Sequence, residues 1–442
     1  MVSVLSQTSM WKANKHIVSA IVTLLVAWAP SADAQSQVTL TQLLTQVEHH
    51  PEVSMMRAAV EAAEARVPMH SSLMEPRLLL GVQNVPTSFS FREDPMTAKV
   101  IGIEQMLPYP GKLSKEQTIG EYAVDISTAR LEEARNTLRR DVKVAWYDLL
   151  HRQRSINVNL RHVQLLDNFK EELAVRVAYG KAPISQIDLL ELEQTEIEQM
   201  IAEDSSMTAM QKAKLQYITS IDVTNIPNDS FPIRLVTQTL EALMTAARAH
   251  NPRLAAIRAE ILQSGAEIDR AKLEKYPDFD VMLMYMQRDD IPGSTHGSAG
   301  TPQMDMLSAQ VSITLPFINY GGNKDAVIAE MEAMRAMKLA EQDQMEREIR
   351  MMLSEKMVRL QELRRKHQLF TSSSIPTLDA RIKALSTEYQ FDKTSFQSAI
   401  AQVIIFLHKQ HEVFEIESEY MKTLAEIEFT IGSDIFSSAP QE

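Results

Sequence analysis

Sulphur supplies the clearest residues of this 442-residue chain that could do chemistry. Met282, Met284 and Met286 alternate along one short segment, and Met304 and Met306 follow closely. A thioether is a soft, neutral ligand that suits an ion such as Cu(I). Methionine more often fills gaps in a core, so these five are only weak metal candidates. His408 and His411 stand at i, i+3 in a helical stretch; that spacing could chelate, but it more often marks an exposed polar face. No HExxH, G-x-S-x-G, P-loop or G-x-G-x-x-G pattern occurs. The sequence therefore predicts no enzyme, no catalytic residue and no cofactor.

Composition says what must position any such groups. The chain is 45% apolar and 23% charged, with only 12 Gly and with 25 Met against 6% aromatic residues, a balance that favours long helices over extensive sheet. A net charge of −13 argues against a nucleic-acid partner. The N-terminus reads as an export signal: Lys12 and Lys15 precede the apolar run Ile17 to Trp28, and Ala32-Asp33-Ala34 is an A-x-A cleavage pattern. Residues 1–34 are thus expected to be removed, leaving the chain one unit more negative. With no cysteine there is neither a disulfide framework nor a thiol for lipid attachment. No later apolar run reaches the length of a membrane-spanning helix, which leaves a β-barrel, with its faint hydropathy, as the route into a membrane.

The chain repeats itself after about 200 residues. His50-Pro51 returns as Asn251-Pro252, Arg57-Ala58 as Arg258-Ala259, and Pro76 as Pro277. Further on, Ile103 to Pro108 resembles Val311 to Pro316, each followed by glycine (Gly111; Gly321-Gly322), and Tyr179 and Ser185 align with Tyr389 and Ser395. The expected organisation is a signal peptide (1–34), a first repeat (35–225), a linker (226–234), a second repeat (235–432) and a C-terminal tail (433–442).

Each copy reads as helix, strand, loop, strand and very long helix. Leu307 to Leu315 alternates cleanly between apolar and polar residues, the pattern of a strand with one oily and one wet side. Phe279 to Gln287 is its expected partner, and the segments near 77–84 and 98–106 are their counterparts in the first copy. Each is about the 9–11 residues that a tilted strand needs to cross a bilayer. From Gly111 to Ala178 there is no proline and one further glycine, Gly120, which predicts a helix about 100 Å long. A second long helix should run from Asn323 to near Phe370, with a bend or break by Pro376. Four strands cannot close a barrel, for which about eight are needed, so two copies (8 strands) or three (12 strands) must associate.

These residues together resemble the TolC-type outer-membrane factors, the outer membrane efflux protein family, in its heavy-metal (CzcC/CusC-like) branch. The points of match are His50-Pro51 with Asn251-Pro252, Glu75 to Leu78, Gln105 to Leu113, Leu315-Pro316-Phe317, and Leu424 to Glu428 before Gly432. The resemblance covers nearly the whole chain. It implies a mainly α fold with a small membrane β-barrel: a homotrimer whose 12 strands cross the outer-membrane lipid and whose helices form a coiled-coil tunnel in the periplasm. It further implies an outer-membrane exit duct of a tripartite system, working with a periplasmic membrane-fusion adaptor and an inner-membrane RND pump to export heavy-metal cations.

The same resemblance places adaptor contacts at two helical tips, Tyr179, Gly180, Lys181 and Ser185 in the first copy and Tyr389, Phe391, Asp392, Lys393 and Ser395 in the second. Asp188 and Asp392 become candidate gate carboxylates. Gly180 suits a left-handed helix end, and Ser185 and Ser395 suit the caps of the helices that follow. The alternatives are a drug or organic-compound channel of the same fold and, from another class, a periplasmic coiled-coil adaptor or scaffold, which would have no membrane strands.

Overall fold

The computed structural model describes residues 38–224, 233, 235–293, 300–316, 318, 322–378, 380–381, 384 and 396–436. The expected signal peptide, the second tip and most of the linker lie outside them. The elements in chain order are α1 (Leu40–Gln46), a 3-10 turn, α2 (Pro51–Ser71), β1 (Arg77–Gln83), β2 (Ala98–Leu107), α3 (Lys112–Ala178) and α4 (Ser185–Thr219). The same order then recurs as α5 (Leu240–His250), α6 (Pro252–Leu273), β3 (Phe279–Gln287), β4 (Met306–Ile313), α7 (Asn323–Leu369) and α8 (Phe396–Ile431).

The repeated residues have a common local job. His50 and Asn251 both precede a proline at the first helical position, and both cap: the Glu52 N–H donates to His50 Nδ1 and the Leu254 N–H to Asn251 Oδ1. Capping satisfies an otherwise orphaned donor, and proline loses nothing there because its missing N–H has no intrahelical partner. Each copy also opens on a capping threonine, Thr39 before α1 and Thr239 before α5. Both long helices start after a left-handed glycine, Gly111 at φ 98° and Gly322 at φ 67°.

α3 is 67 residues long, about 100 Å at 1.5 Å per residue. It packs on α2, α4, α6 and α8. α7 is 47 residues long and ends in a π-helical turn, Phe370–Ser374. The turn comes just before Pro376, whose missing N–H and ring bulk disturb the preceding turn.

Three apolar clusters hold the bundle. One gathers Leu43, Val47, Trp146, Leu149 and Leu215 from the first copy, and a second gathers Leu243, Leu254, Leu353, Tyr420 and Ile427 from the second copy. Met421 is packed against both. The third joins Val158, Leu173, Leu190, Ile400 and Leu407, so it ties α8 to the α3–α4 hairpin.

The strands form one antiparallel sheet in the order β1-β2-β3-β4. The two copies meet at the β2–β3 pair, where Ile103 lies opposite Leu283. Residues 84–97 and 288–293 follow β1 and β3 at one end of the sheet, and the helices leave from the other. At the helix end Lys112, buried, reaches Asp278 at 2.8 Å and Glu274 at 3.3 Å, and Tyr109 stacks on Tyr276 with ring centroids 4.6 Å apart. The start of α3 is thereby clamped to the end of α6 and the approach to β3.

Candidate functional site

The sheet has two unlike faces, and the register defines them. Leu78, Leu80, Ile101, Ile103, Val281, Leu283, Tyr285, Leu307, Val311 and Ile313 fall on one side, and except for half-buried Val281 they are exposed. The other side is mixed: it carries Gln83, Glu104, Asp280, Ser308, Gln310 and Ser312, together with Leu79, Val100, Met282, Met284, Met286 and Met306. A continuous apolar surface across four strands, with no protein against it, is far from ordinary for a protein facing water. It matches the lipid side of a barrel wall, whose strands alternate apolar-out and polar-in. Within the sheet β1 and β4 each have an unpaired edge, so the wall is open on both sides and can be extended by further copies. Among the described residues no helix is long and apolar enough to cross a membrane.

At the opposite end of α3 is the first tip. Helix α3 stops in a Schellman motif: Gly180 at φ 66° lets its N–H reach the Val177 carbonyl and the Lys181 N–H reach that of Arg176, both at 2.9 Å. Tyr179 and Ile184 stand out from this turn, 78% and 68% exposed, and Lys181, Ser185 and Asp188 are exposed as well. Ser185 does not cap α4. Ile184 already has helical angles, and the Pro183 carbonyl takes the Gln186 N–H at 3.2 Å, so Ser185 is the first helical residue and makes no cap hydrogen bond. Asp188 lies in the first turn of α4, where a negative charge complements the helix dipole.

A third feature escaped the sequence reading. Between α3, α4 and α8, Ser155 Oγ donates to Asp204 at 2.5 Å, Arg152 pairs with the same carboxylate at 2.9 Å, and His411 Nδ1 lies 3.0 Å from the serine oxygen. The Asn159 side-chain amide is 2.7 Å from His411 Nε2. His411 is thus half-buried in a polar hub rather than on an exposed face; His408 is exposed. Burial first, and then the neighbouring histidines, push His411 down to about 4, and burial also lowers His151 and His162. Sequence reasoning had no local signal for this hub, because Asp204 and His411 are 49 and 256 positions from Ser155.

The hub makes the bundle acid-sensitive. Imidazoles titrate near 6.5 when unfolded, and burial lowers these three in the folded protein, so the unfolded chain binds more protons as pH falls below 6.5, toward 4 for His411, and the native packing loses stability over that window. His411 alone accounts for up to roughly 3 kcal/mol of this loss, at 1.36 kcal/mol per pKa unit. Protection factors of the α8 amides, corrected for intrinsic exchange, should fall between pH 7 and pH 5, and His411→Gln should flatten that dependence.

Among the described residues no three His, Asp or Glu side chains converge where a metal ion could sit. Met304 is 82% exposed in the loop just before β4.

No family model and no curated protein matches the sequence. Solved structures do match the fold over nearly the full chain. CusC, described for conformational changes accompanying folding and transmembrane channel formation, has a TM-score of 0.74 at 11% identity, covering 90% of this chain and 93% of that one. A membrane protein from Pseudomonas aeruginosa gives 0.73 at 13% identity, with 92% and 94% covered. The outer membrane protein VceC from Vibrio cholerae gives 0.70 at 13%, with 90% and 96% covered. With four alternating strands in one sheet and helices of up to 67 residues behind them, this chain has the TolC-type outer-membrane factor fold.

Proposed function

We propose that the protein is the outer-membrane exit duct of a tripartite efflux system, exporting heavy-metal cations. The observation that carries this reading is the open four-stranded sheet whose apolar face is bare and whose two edges are unpaired. Three copies joined edge to edge give a closed 12-stranded wall, apolar toward lipid and polar toward the lumen. The helices behind it then assemble laterally into a periplasmic tunnel. The duct itself is passive; an inner-membrane pump supplies the energy, and a net charge of −13 favours cations over anions in such a path. Metal cargo rests on the sequence resemblance to the heavy-metal branch and on the methionines of the polar face.

The first tip is the proposed adaptor surface, and it supplies the test. A protruding aromatic beside a cation is the composition of an interaction hot spot. Tyr179→Ala combined with Lys181→Ala is expected to leave oligomer and membrane location intact, to weaken adaptor cross-linking about tenfold (roughly 1.4 kcal/mol), and to sensitise cells to the exported metal salts. Full cross-linking and full resistance in that variant would sink the adaptor assignment. Sensitivity to organic compounds alone would move the cargo to the drug-channel alternative.

A further inference from the structure

We infer that the lumen face of the sheet carries a thioether track for soft monovalent cations of the Cu(I) or Ag(I) class; this rests on the channel reading above. Met282, Met284 and Met286 lie on one face of β3, and Met306 is directly opposite Met286 across the β3–β4 pair. Met106 joins the same face at the helix end, opposite Asp280. The order along the sheet is therefore Met106, Met282, Met284, then the Met286–Met306 pair at the loop end, with exposed Met304 beyond it in the loop. The track runs from the helical tunnel toward the outer surface.

Two ordinary explanations for these methionines fail. Core filling is the usual one, but Met282, Met284, Met286 and Met306 belong to none of the three apolar clusters. Lipid contact is the other, and the register puts them on the face away from the exposed apolar residues. Across the strands Met282 and Met284 face small or polar residues, Gly102, Glu104, Ser308 and Gln310, while Met286 has Val100 on one side and Met306 on the other. Gly102 is required where Met284 lies, since a Cβ there would come within 2.8 Å of Met284 Cγ.

The spacing suits transfer rather than storage. Same-face residues along a strand are about 6.8 Å apart, twice the 3.4 Å rise, so single thioethers form successive stations. The directly opposed Met286–Met306 pair, with Cβ atoms about 4.5–5.5 Å apart, is the one place where two sulphurs of one chain can close on an ion. Thioethers are the only sulphur ligands available, since the chain has no cysteine. They are soft enough to select Cu(I) over harder cations, and being neutral they bind weakly enough to release, as a conduit requires.

The test uses Ag(I) as the probe on the purified full-length oligomer in detergent. Silver absorption spectroscopy should show sulphur neighbours, and calorimetry should show binding that falls at least tenfold in Met282→Leu/Met284→Leu/Met286→Leu/Met306→Leu. The double variant Met286→Leu/Met306→Leu serves should the quadruple one fail to assemble, with Met334→Leu/Met337→Leu, exposed on α7, as the control that keeps full binding. Undiminished Ag(I) binding in the track variants, or loss in the α7 control instead, overturns the inference. Single-channel recording separates this failure from that of the channel reading. Channels that conduct but do not respond to Ag(I) overturn the track alone, whereas an oligomer that forms no channel overturns both.

Discussion

If the bare apolar face meets lipid as proposed, Val311→Arg is expected to remove the protein from the outer membrane, whereas Gln310→Arg at the adjacent position is expected to leave it there. Val311 lies opposite Val281 on the apolar face and is 59% exposed, while Gln310 lies opposite Met282 on the polar one. A lipid-facing arginine near the bilayer midplane costs roughly 2–4 kcal/mol, and in a trimer that cost falls three times, for a total of roughly 6–12 kcal/mol. A lumen-facing arginine stays in water and changes only the charge of the path. Membrane fractionation of the two variants reads the difference. Two equally tolerated arginines would mean that the apolar face is covered by something other than lipid.

Gly432→Ala is expected to be the most damaging substitution in the helical part. Gly432 follows α8 in the left-handed conformation, at φ 77°, and an added Cβ would clash with the His250 carbonyl oxygen. The site sits against the His250-Asn251-Pro252 corner, where the Asn251 amide donates to the Thr430 carbonyl at 2.7 Å. The left-handed backbone alone costs an alanine about 1–2 kcal/mol. The contact is with backbone, so relief requires moving α8 away from the α5–α6 corner and breaking that buried hydrogen bond, for a total above about 4 kcal/mol. Ser220 holds the equivalent place after α4, at φ 58°, and Ser220→Gly should be neutral or mildly stabilising because glycine relieves the same conformation. Thermal unfolding of both variants tests the pair. A Gly432→Ala protein that melts with the wild type would show that the corner is not tightly docked.

The parts of this fold that could be read in the sequence are those encoded locally. Strand β4 was visible because its alternation is uninterrupted, and β3 because Met282, Met284 and Met286 fall opposite Val281, Leu283 and Tyr285; β4 begins one residue before and ends two residues before the clean alternation. Helix α3 was visible because nothing in it breaks a helix. The repeat signal at His50 and Asn251 was a capping signal, each side chain closing the start of a helix. Ser185 was misread because a serine after a turn looks like a cap from sequence, while Pro183 and Ile184 had already turned the chain into the helix. The Ser155–Asp204–His411 hub was invisible, since it exists only where three helices meet. Tyr389, Phe391, Asp392, Lys393 and Ser395, the expected second tip, lie outside the described residues, and Asp188 as a gate carboxylate remains a proposal for the first.

The tip and the hub bear on one mechanical question. Helix α8 is tied to the α3–α4 hairpin by the apolar cluster of Val158, Leu190 and Leu407 and, just above it, by the polar contacts of His411 and the Arg154–Glu417 pair at 2.5 Å. Apolar packing tolerates sliding better than directional hydrogen bonds do. The polar contacts therefore fix the register of α8 against the hairpin that carries the first tip.

The measurement that tests the central claim most directly is fractionation of cells producing the protein, followed by native and heated gel electrophoresis of the membrane fraction. A single open sheet with a bare apolar face requires closure by other copies, so the protein should be found in the outer membrane as a trimer that withstands mild detergent and falls to monomer on heating. A soluble periplasmic monomer would contradict the account and leave a helical scaffold in its place.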